Sequence, residues 1–281
     1  MRLYYSGSDA HDGQRSELVI WRGVGGALER VSAKELVSPS WVVAHPSRPL
    51  LYATQETEPG GIVTVGMAED GSLQEQQRLS SNGSLPCHIA LNRGATRLAA
   101  SNYLDGTVSV WKLTEAGMIA DVLGAWQLAG SGPVADRQDR SHAHAAYFRD
   151  TRMLAVDLGA DSLWELAADG TTRARLRLPA GFGPRHLVSV GRNLLVLVGE
   201  LSSQLALIEF NGSAARVLDT KPATASSGGQ PSGITVWRDN VIVANRGVGS
   251  FAQFKVAAGR LVPSGEVELP GSQHRAIMTN G

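Results

Sequence analysis

Short apolar runs of roughly four to eight residues, broken by Gly, Asp, Asn and Pro, follow one another along the chain, a strand pattern rather than a helical one. Within them a phrase recurs at intervals of about forty to fifty residues, the spacing of a radially repeated fold. Pro39-Ser40-Trp41-Val42-Val43 returns as Pro86-Cys87-His88-Ile89-Ala90, His142-Ala143-His144-Ala145-Ala146, Pro184-Arg185-His186-Leu187-Val188 and Pro231-Ser232-Gly233-Ile234-Thr235. Each copy predicts a strand start. A second apolar run ending in polar residues follows each copy: Leu50 to Glu56, Leu98 to Tyr103, Met153 to Gly159, Leu194 to Glu200 and Val241 to Arg246.

The fourth repeat shows the whole unit. Arg185 to Val190, Leu194 to Gly199, Gln204 to Phe210 and Ala215 to Thr220 are four strands, with Gly191-Arg192-Asn193 and Asn211-Gly212 as turns. Four short antiparallel strands describe one blade of a β-propeller. Thr107 to Leu113 and Phe251 to Val256 scan as third strands of other blades, and Glu29 to Val37 is the one stretch that is ambiguous with a helix. Two segments depart from the unit. Gly130 to Ser141, rich in Gly, Asp and Arg, reads as a surface excursion or as a lid over a site, and Lys221 to Gln230 reads as a flexible Ser/Gly-rich loop.

The first residues, Leu3 to Gly7, Glu17 to Arg22 and Leu28 to Leu36, match the second, third and fourth strands of a blade whose first strand must come from elsewhere. Gln273 to Met278 resembles such a first strand. The expected architecture is therefore a single all-β domain over residues 1–281, a β-propeller of four-stranded blades with repeat starts near 39, 86, 142, 184, 231 and 274.

Composition narrows the function only slightly. Lys plus Arg and Asp plus Glu each number 26, so no basic excess points to nucleic acid. The single cysteine, Cys87, excludes an intrachain disulfide framework and favours a reducing, cytoplasmic home. The first residues lack the apolar core of a signal peptide, and no run approaches the roughly 20 apolar residues of a membrane span. A monomer or weak dimer without membrane or nucleic-acid partners is expected.

Chemistry concentrates at strand ends. Because the first two strands of a blade run antiparallel, the start of one and the end of the other share an edge, and every blade presents such a pair to one face near the channel mouth. Strand starts supply His88, His142, His144, Arg185 and His186, and second-strand ends supply Glu56, Asn102, Asp157, Glu200, Asn245 and Arg246. His88 and His186 also suit an ordinary task, hydrogen-bonding between blades. His142 and His144, two apart on a strand, share a face as a metal-binding pair does, but no third ligand is fixed. Cys87 reads as a small buried apolar residue. No Gly-x-Ser-x-Gly elbow is present, and Gly23-Val24-Gly25-Gly26 reads as a turn.

On these motifs the chain resembles the seven-bladed β-propeller lactonases, which include propeller-type 6-phosphogluconolactonases and 3-carboxy-cis,cis-muconate lactonizing enzymes. The resemblance is carried by Ser141-His142-Ala143-His144 with Leu154-Ala155-Val156-Asp157-Leu158-Gly159-Ala160-Asp161, by Gly183-Pro184-Arg185-His186 with Val198-Gly199-Glu200-Leu201-Ser202, and by Val243-Ala244-Asn245-Arg246. It implies catalytic positions at His144, Arg185, Glu200 and Arg246. His88, His142, His186, Asp157 and Asn245 are then expected to bind substrate.

The family continues beyond a Gln-Pro-Arg strand, whereas this chain reaches Gln273-His274-Arg275 and little more; seven blades with this chain supplying about six is favoured over a closed ring of six. The implied substrate is a small anionic lactone, most simply 6-phosphogluconolactone of the pentose phosphate pathway. Two arginines suit its anion, and Glu200 or His144 serves as base, with no metal or cofactor required. A muconate-type lactonizing isomerase and a non-enzymatic interaction scaffold are the alternatives.

Overall fold

The computed structural model describes residues 3–7, 16–149, 152–167, 169–211 and 214–268. Gln273 to Met278, the expected closing strand, lies outside the described residues. Among the described residues the regular structure is all strand, arranged as six antiparallel sheets.

The first sheet is three-stranded: β1 (Leu3–Gly7), β2 (Glu17–Val24) and β3 (Ala27–Glu35). Five four-stranded sheets follow in chain order. They are β4 (Val42–Ala44), β5 (Leu50–Gln55), β6 (Gly61–Met67) and β7 (Leu73–Ser80); then β8 (Pro86–Leu91), β9 (Arg97–Asn102), β10 (Thr107–Leu113) and β11 (Ile119–Gln127). Next come β12 (Ala143–Arg149), β13 (Arg152–Asp157), β14 (Ser162–Leu166) and β15 (Thr172–Arg177). The last two are β16 (Pro184–Ser189), β17 (Leu194–Gly199), β18 (Gln204–Asn211) and β19 (Ala214–Pro222), and β20 (Gln230–Trp237), β21 (Asn240–Arg246), β22 (Ser250–Ala257) and β23 (Arg260–Glu268). Each sheet is a meander in which sequence neighbours pair, so the protein is a propeller of four-stranded blades. The stretch ambiguous with a helix is β3.

Burial explains which sequence became which strand. Second strands such as β5, β9 and β17 are buried on both faces and read as unbroken apolar runs, Leu194-Leu195-Val196-Leu197-Val198 being the clearest. Fourth strands face solvent on one side. In β7, Leu73-Gln74-Glu75-Gln76-Gln77-Arg78-Leu79-Ser80 alternates half-buried and exposed positions residue by residue.

By its contacts the chain forms two compact units. One comprises residues 1–129, 142–155 and 166–171, and the other 130–141, 156–165 and 172–281. In the first unit, Leu18, Ile20, Val42 and Val63 form one core cluster, and Tyr52, Ile89, Leu98 and Trp111 another. In the second, Val196, Val198, Leu207, Val243 and Phe254 pack together. Each such side chain contributes about 1.5–3 kcal/mol on burial. No helix among the described residues is long and apolar enough to cross a membrane.

Candidate active site

The strand pairs carry polar residues at shared edges, and bulges shape the edges of β8, β16 and β20. In the second unit Pro184 of β16 pairs with Gly199 of β17, and Pro231 of β20 pairs with Asn245 of β21. Register shifts fall between Pro184 and Leu187 and between Pro231 and Ile234, just inside the strand starts. A bulge breaks the alternation of faces and re-aims side chains. Arg185 and His186, adjacent in sequence, therefore meet: Arg185 Nη1 donates to His186 Nδ1 at 3.0 Å, which places the imidazole proton on Nε2.

Glu200 stands one residue beyond β17, its side chain 4% exposed, and gathers three guanidinium groups. Arg185 Nε reaches Oε2 at 2.7 Å and Arg246 Nη2 reaches Oε2 at 2.8 Å. Arg137 Nη2 reaches Oε1 at 2.7 Å. Three guanidinium groups thus converge on one buried carboxylate. Guanidinium forks of this kind are the side chains that bind carboxylate and phosphate groups in pairs of charge-assisted hydrogen bonds.

Arg137 was not among the sequence candidates. It lies in the 130–141 insertion, outside the repeat that located the other residues. The insertion is anchored within its own unit. Gln138 is fully buried, and its Nε2 donates to Leu158 O at 2.8 Å and to Asp161 Oδ1 at 2.7 Å. Asp161 also accepts from the backbone N–H of Gly181 and of Gly183, at 2.7 Å each. Gly183 O in turn accepts the Glu200 N–H at 2.8 Å. One carboxylate thus ties the Arg137 loop to the backbone under Glu200. Gly183 sits at φ 60°, and a Cβ there would strike the Leu201 side chain, so glycine is required at this junction.

Other expected residues are held in buried hydrogen-bond networks. Asp157 is fully buried and accepts hydrogen bonds from Ser141 Oγ (2.8 Å), Trp164 Nε1 (3.2 Å) and the Ala160 N–H (3.1 Å). Asn245 is equally buried, donating to Ala223 O at 3.2 Å and Ser250 Oγ at 3.3 Å. Both side chains are thus engaged in buried hydrogen bonds. Asn102 at the matching point of β9 donates to Ser81 O and Thr107 O.

The histidines of the first unit form their own group. His88 packs between Trp41 and Tyr147, at ring-centroid distances of 4.5 and 4.9 Å, and its Nδ1 accepts from the Ala146 N–H. His142 stacks on Tyr103 and donates through Nδ1 to Tyr103 O at 2.8 Å. His144 meets Tyr103 edge-on, and its Nδ1 lies 3.7 Å from Cys87 Sγ. Cys87 is half-buried rather than buried, a correction to its expected role as a core residue. It occupies the bulge between Pro86 and His88, where strand alternation no longer predicts direction. Among the described residues no three of His, Cys, Asp and Glu gather as a metal-ligand group.

Fold and site together define a propeller whose insertion and strand ends gather three guanidinium groups on one buried carboxylate. The family model "Lactonase, 7-bladed beta-propeller" matches residues 7–281, and the chain belongs to that family. It is 26% identical over 167 residues to a 6-phosphogluconolactonase of Formosa agariphila, covering 54% of this chain and 47% of that protein. A protein of Arthroderma benhamiae, provisionally assigned the same name, is 28% identical over 205 residues, 68% of this chain and 51% of its own. The chain spans about half the length of these curated relatives. Among solved structures, the periplasmic gluconolactonase of Pseudomonas aeruginosa superposes with a TM-score of 0.86 at 22% identity, over 97% of this chain and 85% of that one. At that identity the likeness speaks for the fold.

Proposed function

We propose that the protein hydrolyses a small anionic sugar lactone, with 6-phosphogluconolactone opened to 6-phosphogluconate as the reaction best supported. The observation that carries this reading is the buried Glu200 carboxylate surrounded by Arg137, Arg185 and Arg246. Family membership and the names of the relatives point the same way.

Glu200 has a guanidinium on each oxygen, so it accepts a proton only by giving up an ion pair. In this reading it positions the arginines around the substrate. A general base takes a proton from water, the hydroxide adds to the lactone carbonyl carbon, and Arg185 and Arg246 hold the substrate anion and the developing oxyanion. The tetrahedral intermediate collapses with cleavage of the ring C–O bond, and the departing alkoxide takes the proton back from the protonated base. A phosphorylated sugar substrate carries a cytoplasmic location with it.

Hydrolysis of 6-phosphogluconolactone and of unphosphorylated lactones by the wild type, Glu200→Gln and Arg246→Ala tests the reading. Opening of the phosphorylated lactone, reduced by about 100-fold or more in both variants, is expected. A wild type that opens none of the lactones above background overturns it.

A further inference from the structure

The three arginines at Glu200 differ in how they are held. Arg185 and Arg246 come from strand ends, have side chains 8% and 15% exposed, and share Oε2. Arg137 comes from the insertion, is 39% exposed and takes Oε1. Its backbone is fixed, because the Arg137 and Gln138 N–H groups both bond to Val134 O, at 2.9 and 2.7 Å, and the Gln138 side chain is locked to Leu158 and Asp161. The Arg137 side chain reaches from this fixed backbone to Glu200 and is partly exposed to solvent. Of the three guanidinium groups it is the one most accessible to an incoming anion.

The number of guanidinium groups indicates which anion. A phosphate monoester carries about 1.5 to 2 negative charges at neutral pH, more than the single charge of a carboxylate. Its three acceptor oxygens also present the geometry that a guanidinium fork takes up in pairs.

We propose that Arg137 is the specificity-determining contact for a phosphoryl group on the substrate, exchanging Glu200 Oε1 for phosphoryl oxygens when the ligand binds. The insertion is then a fixed arm with a swinging side chain rather than a lid. As to the reaction served, the proposal rests on the lactonase reading; as to the anion, it stands on the arginine cluster.

The test compares wild type, Arg137→Gln and Arg137→Lys in two measurements. In the first, kcat and KM are determined for 6-phosphogluconolactone and for glucono-δ-lactone. The Gln variant is expected to lower the preference for the phosphorylated lactone by about 10- to 100-fold, mostly through KM, and the Lys variant to recover part of it. Equal losses on both lactones would mark a merely structural residue and overturn the proposal. In the second, inorganic phosphate is titrated into each protein by calorimetry. Wild-type binding weakened about tenfold or more in the Gln variant supports the proposal, and unaltered or absent wild-type binding overturns it. If the wild type opens neither lactone, the lactonase reading fails while the phosphate titration still decides the role of Arg137.

Discussion

Gln138 and Asp161 are joined by a 2.7 Å hydrogen bond from Nε2 to Oδ1, and both residues are buried. The bond fastens an insertion to the turn that leads into β14, on the same carboxylate that holds the Gly181 and Gly183 amides. A buried carboxylate satisfied by three donors leaves all three unpaired when it is removed.

Asp161→Ala is therefore expected to destabilise the protein by about 3 kcal/mol, since several charge-assisted bonds go at once. Chemical denaturation measures that loss. The same variant loosens the Arg137 loop, so weaker phosphate binding should accompany it, whereas a core Leu207→Ala of similar stability cost should leave phosphate binding alone.

Glu200→Gln removes the negative charge from among three arginines. Breaking a buried ion pair while its partners stay in place costs on the order of 3 kcal/mol. Inorganic phosphate supplies the missing charge. Thermal unfolding should show a larger rise in Tm on adding phosphate for the variant than for the wild type.

Glu266 gives a pH signature distant from catalysis. Burial pushes its carboxyl up, but the Ala225 N–H and the Ser250 and Thr224 hydroxyls outweigh this and hold it below the usual carboxylate range. A folded pKa below the unfolded value of about 4.3 contributes stability above that pH and loses it as pH falls through the folded value. Glu266→Gln should be less stable than wild type at neutral pH. The difference should shrink in Tm measurements taken as pH is lowered through the acid range.

His144 and Cys87 are neighbours, and of the two the family resemblance implies catalysis at His144 alone. His144→Gln should reduce kcat for lactone opening by about 100-fold or more if the imidazole moves the proton. Cys87→Ala removes a weak sulfur contact to Nδ1 at 3.7 Å, and its loss should stay under about tenfold. Steady-state kinetics of the two variants check both outcomes.

The blades were legible because their signal is repeated. The Pro-x-His period marks strand starts, and each apolar run has one physical reading once its neighbours agree. Arg185, Glu200 and Arg246 were legible for the same reason: they occupy equivalent strand ends, and the register of β16 with β17 and of β20 with β21 brings those ends together. The bulges were not legible, and they redirect Arg185, His186 and Cys87 away from simple alternation. Nor was Arg137, whose place depends on Gln138 being drawn inward by Asp161. The Asp/Arg-rich sequence just before His142 was the available signal, but composition does not say which residue of a loop turns in.

Placing Arg137 on an insertion between blades has an evolutionary consequence. The strands must keep their alternation and their buried runs, and most changes to them cost stability. The insertion lies outside that constraint. Its length and its one inward-reaching cation can be recoded without disturbing a single ladder of the sheets, so ligand preference can drift while the scaffold stays under strict selection.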